Sequence, residues 1–342
     1  DKVVYHGKLG SQGERATRVR AISRSICEAL QRLDLMAEVD LVAHLAKADL
    51  LSDMVGEFPE LQGTMGAYYA RHDGMSDSVA EAIEDHYKPR FAGDSLPRGE
   101  VGLVVALADK LETLTGLFGI GQRPTGDKDP FALRRNALGV IRILVERALP
   151  IPLDLLLDAA FKAFPEGMLG SAHTDLSIFI FERLAGWLRE QGSSVQEIDA
   201  VLARNSLSID LVPRQLAAVR AFNALPEASS LAAANKRIAN ILKKSDAVAA
   251  ASIDEALLVE VAERNLNDAL NWVRPLADSH FARGAYEASL RELAALKAPV
   301  DLFFEQVMVN AEDPALRANR LALLAQLHAS MNRIADLSRL AS

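Results

Sequence analysis

Cysteine is nearly absent, with Cys27 alone among 342 residues. It falls at an apolar position of a helical pattern, so it reads as a small buried hydrophobe. That excludes a disulfide scaffold and fits a reducing, cytoplasmic compartment. A lone cysteine also removes any cysteine-rich zinc site. The seven histidines are scattered, with no HExxH and no pair four apart, so no metal site is expected. Long apolar runs are missing too. No segment approaches the roughly 18 apolar residues of a membrane span, and Asp1-Lys2-Val3 lacks the pattern of a signal peptide. No membrane partner is therefore expected. An initiating Met is also lacking, so the chain is expected to be processed or cut out of something longer. Strand-like runs hardly occur beyond residues 2–5, and no repeat of fixed period disposes the chain toward a solenoid.

What is present is helix. Half of the residues are hydrophobic and a quarter are charged, the balance of a soluble folded protein, and the length suits two or three domains. Apolar residues recur at helical spacing over 16–33, 41–54, 77–87, 101–118, 132–149, 175–191, 214–225, 231–243, 253–274, 282–296 and 313–340. Breakers such as Pro89, Pro97, Pro150, Pro152, Pro226 and Pro299 fall between them. Asp77 is expected to be an N-cap, as is Asp313 with Pro314 behind it. The fold class is all-α. The clearest boundary follows Pro150-Ile151-Pro152, and a softer one lies near residues 245–252.

The formal charge of −8 argues against sequence-blind nucleic-acid binding by the whole surface, yet it leaves room for a local basic face. One such face lies on helix 231–244, where Lys236, Asn240, Lys243 and Lys244 stand opposite Leu231, Ile238 and Leu242. It reads either as an ordinary solvated face or as a contact for RNA phosphates. In the last helix Arg320 falls near the centre of the apolar stripe, so it needs a buried partner, for which Asp301 is a candidate. Arg317 and Arg333 lie off that stripe and are better placed for phosphate. Phe303, Phe304 and His328 are candidate stacking groups, although adjacent phenylalanines at helical spacing suit a core. Met65, Tyr68 and Tyr69 read as a helix packing face.

Two stretches invite a catalytic reading. Residues 121–138, GQRPTGDKDPFALRRNAL, place Pro124–Lys128 like a phosphate cradle, but the spacing and the Gly-Lys-Ser/Thr ending are wrong and an aspartate follows the lysine. A rigid connector remains, with Arg134 and Arg135 meeting acids or RNA phosphates. Asp49, His86 and Asp109 form the one plausible acid–histidine constellation. A metal phosphohydrolase of that style would want a histidine before Asp49, and Ala48 stands there instead. The structural alternative has both acids capping or pairing neighbouring helices, and His86 packing beside Tyr87.

Long ordered segments carry a resemblance. They include AKADLLSDMVGEFPELQGTMGAYYA (46–70), AIEDHYKPR (82–90), ALADKLETLTGLFGIGQRPTGDKDPFALRRNALGVIRIL (106–144), KRIANILKK (236–244), PVDLFFEQVMV (299–309) and LRANRLALLAQL (316–327). Together they resemble the beta subunit of bacterial tetrameric glycyl-tRNA synthetase, over roughly the C-terminal half of that chain. The resemblance implies an HD-like helical domain over 1–150, with Asp49, His86 and Asp109 as degenerate HD-type positions. It implies a helical linker or body over 151–245, and an anticodon-binding helical domain over 246–342 with Leu316-Arg317 and Asn319-Arg320-Leu321 as local signature. It implies no catalytic residue and no cofactor here: ATP and magnesium would serve glycylation on the alpha subunit. The partners implied are tRNA-Gly, the alpha subunit and the N-terminal half of the beta chain. A metal-dependent phosphohydrolase and a purely structural helical scaffold are the alternatives.

Overall fold

The computed structural model describes residues 3–204, 208–245 and 252–341. The expected boundary at 245–246 borders residues 246–251, which lie outside the described residues, as does Lys2 of the expected strand. The chain is about 70% helix and 2% strand, so the all-α expectation holds. It divides into two compact units, Asp1–Trp187 with Leu207–Leu211, and Leu188–Ser206 with Val212–Ser342. Among the described residues, no helix is long and apolar enough to cross a membrane.

The first unit opens with an antiparallel pair, β1 (Val4–His6) and β2 (Gly10–Ser11), followed by α1 (Gln12–Ala29). Ser11 fixes the start of α1 through a reciprocal cap. Its hydroxyl accepts from the Glu14 amide at 3.2 Å, and the Glu14 carboxylate accepts from the Ser11 amide at 2.7 Å. Then come α2 (Met36–Leu45), α3 (Asp53–Glu57), α4 (Thr64–His72), α5 (Asp77–Asp85), α6 (Glu100–Gly119), α7 (Leu133–Glu146), α8 (Leu153–Lys162) and α9 (His173–Glu190), most of which belongs here. Every residue of α6 from Val101 to Phe118 is buried. A helix with no exposed face is wrapped on all sides, and α1, α2, α5, α7 and α8 do this.

Two local expectations need correction. The periodic stretch 41–54 is not one helix, because after α2 the chain tightens into a 3-10 turn at Ala48–Leu51. Ser52 then starts α3 by accepting from the Val55 amide. At α5 the cap is Ser76, whose hydroxyl accepts from the Val79 amide, so Asp77 is the first helical residue.

The second unit contains α10 (Val195–Leu202), α11 (Val212–Asn223), α12 (Ala228–Lys244), α13 (Val261–Ala282), α14 (Tyr286–Glu292), α15 (Lys297–Gln306) and α16 (Pro314–Met331). Leu231, Ile238, Leu266, Leu270, Phe303, Leu323 and Leu327 are fully buried and form the shared core of α12, α13, α15 and α16. Asp313 caps α16 as expected, accepting from the Ala315 and Leu316 amides, with Pro314 in the first turn. Pro299 does not separate two helices: it is the third residue of α15, where an amide has no intrahelical acceptor. α13 runs through Pro275 to Ala282, beyond the end at 274 expected from the periodicity. Buried Val273 and Ala277 on either side hold it there, and tertiary packing outweighs the bond that proline removes. α16 stops at Met331 rather than continuing to 340, because Asn332 turns its carboxamide onto the chain. That side chain donates to the His328 carbonyl at 2.8 Å and accepts from the Leu337 amide at 2.9 Å.

Candidate nucleic-acid interface

In the first unit Asp49, His86 and Asp109 do converge, and each makes internal contacts, with Asp49 Oδ1 and His86 Nε2 left without a hydrogen-bond partner. The buried Asp49 carboxylate accepts from the amides of Gly63 at 2.6 Å and Gly66 at 3.1 Å, so it caps the start of α4. Gly66 permits this approach, since a Cβ there would lie 2.8 Å from Ile83 Cγ2 and 3.2 Å from Asp49 Oδ2. Asp109 pairs with Arg15 at 3.0 Å and with Lys47 at 3.4 Å. Burial alone would raise its carboxyl; Arg15, then Lys47, hold it well below the usual carboxylate range instead. His86 Nδ1 lies 2.5 Å from the Ile83 carbonyl, and its ring packs 3.9 Å from that of Tyr87. Burial, then the nearby Lys47, push the imidazole well below its ordinary value.

Lys47 itself sits 3.9 Å from the Tyr87 ring centroid, and burial pulls its ammonium down to about 8 against the opposing pull of Asp109. This donor set does not suit a divalent cation. Asp109 is committed to internal cations and one Asp49 oxygen to two amides, and the Lys47 ammonium lies against Asp109, where an added cation would be repelled. Among the described residues, no group of three or more His, Cys, Asp or Glu is arranged to hold a metal. On α4 the packing face is Gly66, Ala67 and Ala70, whereas Tyr68 and Tyr69 are exposed, contrary to the sequence expectation. The small residues follow from the close approach of α5, which leaves no room for a ring on that side.

The candidate cations in the second unit have different situations. Arg320 is buried, as its position on the stripe required, but its partner is Glu263 of α13, and it also donates to the Met308 carbonyl at 2.8 Å. Asp301 is taken by Lys297, one turn earlier, at 2.7 Å and by the Ser230 hydroxyl at 2.8 Å. Asn319 brackets the backbone of Asp254, accepting at 2.8 Å and donating at 3.0 Å. The Asn319-Arg320 pair thus serves packing. Arg333 pairs with Asp278 and stands 4.1 Å from the Phe281 ring centroid, so it is held within the unit. Arg317 is half-buried, with no hydrogen-bond partner for its Nε. Phe303 is core. His328 is half-buried, and burial lowers its imidazole below the ordinary value.

The outer face of α12 differs. This helix carries four cations and no acid, and Lys236, Arg237, Asn240, Lys243 and Lys244 are all exposed. Lys236, Arg237, Asn240 and Lys244 line a cleft of about 480 Å³ that Asn310 closes on the other side. An adjoining cleft of about 500 Å³ shares Arg237 and Asn310 and extends over Phe304 and Met308. The Arg237 guanidinium lies 4.2 Å from the ring centroid of Phe304, which is half-buried and backed edge-on by Phe303 at 5.6 Å. Cations, side-chain amides and a guanidinium stacked on a ring are the ingredients of single-stranded nucleic-acid binding. Arg237 was not among the residues singled out from the sequence, although its spacing of three and seven from Asn240 and Lys244 places it on the same face. Lys243 is exposed but does not line the cleft. Arg135 is exposed and Arg134 half-buried on α7 of the first unit, with Arg134 donating to the Gly126 carbonyl at 2.5 Å.

Residues 1–203 match the family model described as glycyl-tRNA synthetase beta subunit. The chain belongs to that family. Residues 231–337, which include the whole α12 cleft, match the DALR anticodon binding domain. The chain is 67% identical over 341 residues to the glycine–tRNA ligase beta subunit of Thiobacillus denitrificans, covering all of this chain and 49% of that protein. It is 63% identical over 341 residues to that of Delftia acidovorans, and 62% identical over 342 residues to that of Dechloromonas aromatica. Each of these matches covers all of this chain and 48% of the relative, so the chain spans about half the length of the curated relatives it matches.

Proposed function

We propose that this chain is the tRNA-gripping part of a glycine–tRNA ligase beta subunit, and that the α12 cleft receives the anticodon arm of tRNA-Gly. The observation that carries this reading is the stacked Arg237–Phe304 pair, set among Lys236, Asn240 and Lys244 inside the anticodon-binding match. The lysines meet phosphates and set the strength and salt dependence of binding. A guanidinium stacked on one face by a ring offers its other face to an unstacked base, and Asn240 and Asn310 offer edge hydrogen bonds.

In this reading the chemistry lies elsewhere. The alpha subunit uses ATP and magnesium to activate glycine and transfer it to the tRNA 3′ end. Binding energy collected here positions that end and so contributes to a remote transition state. The first unit is a helical domain of HD-like type whose internal cations have replaced catalysis, and the N-terminal half of the beta chain completes the assembly. The division into regions 1–150, 151–245 and 246–342 belongs to the same proposal. Binding of tRNA-Gly by the alpha–beta complex across a salt series tests it. Lys236→Glu and Lys244→Glu are expected to weaken binding by roughly tenfold or more each. Unchanged affinity in complexes that still fold would overturn the placement.

A further inference from the structure

A second polar cleft lies wholly within the first unit, and of the residues considered above it takes in Tyr87 and Arg135. It measures about 380 Å³ and is lined by Tyr87, Arg90, Lys110, Arg135 and Asn136, with Glu60 as its one acid. We propose that this cleft binds a phosphate group, carried by a nucleotide or by an RNA strand.

The central residue is Lys110. It is 3% exposed, and the acceptor for its ammonium is the Tyr87 carbonyl at 3.2 Å. An ammonium has three protons to donate. A buried cation with one acceptor and no carboxylate in contact is costly unless something else meets it. Among the described residues, no ion pair is made by Lys110, Arg90 or Arg135. Asp109, one residue earlier on α6, favours the Lys110 charge from a distance but makes its contacts with Arg15 and Lys47. Asp94 is also engaged, accepting from the Arg90 amide at 2.7 Å and the Ser95 amide at 2.9 Å.

Space for the lysine stem is built into α7. A Cβ at Gly139 would stand 2.5 Å from Lys110 Cε and 2.7 Å from its Cδ. Glycine inside a helix is less favourable than alanine, so its presence fits a requirement to seat Lys110 at the cleft. Arg135 and Arg90 then add exposed cations at the mouth. Three cations against one acid select an anion, and guanidinium groups suit the oxygens of phosphate. The volume lies at the small end of ligand sites and suits a phosphate with at most a single nucleotide unit. Burial pulls the Lys110 ammonium down to about 8, and an anion in the cleft would raise it again.

The test titrates the full-length beta chain with inorganic phosphate, AMP and a short single-stranded RNA, reading heat of binding. Saturable binding of phosphate and AMP is the result expected for a nucleotide source. Saturable binding of RNA alone, retained when the α12 cleft is disabled by Lys236→Glu and Lys244→Glu, indicates a strand. In either case Lys110→Met and Arg135→Ala should weaken binding at least tenfold, while Lys236→Glu in the α12 cleft should leave phosphate and AMP binding unchanged. Arg135 is exposed, so Arg135→Ala remains informative if Lys110→Met fails to fold. No saturable binding of any of the three probes, phosphate or AMP binding that survives Arg135→Ala, or RNA binding by the Lys236→Glu/Lys244→Glu variant that survives it, would overturn the proposal. Any of these results leaves the anticodon-arm reading of α12 untouched, since that is judged by the lysine reversals there.

Discussion

The carboxamides of Asn235 and Asn332 close on each other in the core of the second unit. Asn235 donates to Asn332 at 2.8 Å and Asn332 donates back at 3.0 Å. Both residues are almost fully buried, and the pair ties the middle of α12 to the turn that ends α16. Because Asn332 also accepts from the Leu337 amide and donates to the His328 carbonyl, it serves four groups at once.

Asn332→Ala should therefore be severe for so small a change. It leaves the Asn235 amide and the Leu337 amide buried without partners, each costing about 1–3 kcal/mol. A loss of roughly 2–5 kcal/mol is expected, read as a lower urea midpoint for the second unit's transition. Asn235→Ala strands fewer groups and should cost less. Equal losses for the two variants would contradict this account.

The Arg320–Glu263 pair calls for a different comparison. Removing one partner leaves a charge stranded in the core, so Arg320→Met or Glu263→Gln alone should cost about 3–5 kcal/mol. The double variant should recover much of that, because no uncompensated charge remains. Thermal unfolding of the four proteins in the cycle decides the matter. Strictly additive losses would mean that the pair is not a coupled unit.

That pair also marks where the sequence stops being informative. Arg320 sits at helical spacing among leucines, so its burial and its need for an acid could be read directly. The identity of the acid could not. Asp301 lies one turn from Lys297, which takes it locally, whereas Glu263 arrives from 57 residues away. The same limit applies to Asp49. A missing histidine at Ala48 argued against catalysis, but the replacement role, capping α4 through Gly63 and Gly66, depends on a loop approach that periodicity does not encode. The helices themselves were legible because burial imposes a 3.6-residue pattern. Their ends were less so: Asn332 and Pro275 acted through neighbours rather than through propensity.

Buried Lys47 and Lys110 give the first unit a distinctive alkaline response. Burial lowers both to about 8 in the folded chain, against about 10.4 for a free lysine. Between about pH 8 and 10 the unfolded chain thus binds more protons, and stability should rise with pH. Above that window Tyr5 and Tyr87, both raised by burial, act in the opposite sense. Lys47→Met removes one of the two protons, so the slope between pH 8 and 10 should fall by up to about 1.4 kcal/mol per pH unit. Urea melts at several pH values measure it. Parallel curves for the variant and the parent would mean that Lys47 is not held in this way.

Arg237 and Phe304 separate charge from stacking in the α12 cleft. Lys236→Ala deletes a phosphate contact and should lower the salt slope of tRNA binding by about one, with a uniform loss of affinity. Phe304→Ala removes no charge, so the salt slope should stay where it is. It deletes the platform beneath the guanidinium, and stacking contributions of about 1–3 kcal/mol translate into a roughly 5- to 150-fold weaker complex. If Arg237 and Phe304 act as one stacked unit, the double variant should be little weaker than the worse single variant. A Phe304→Ala complex with normal affinity would make the ring a mere lid on the core and remove base stacking from this face.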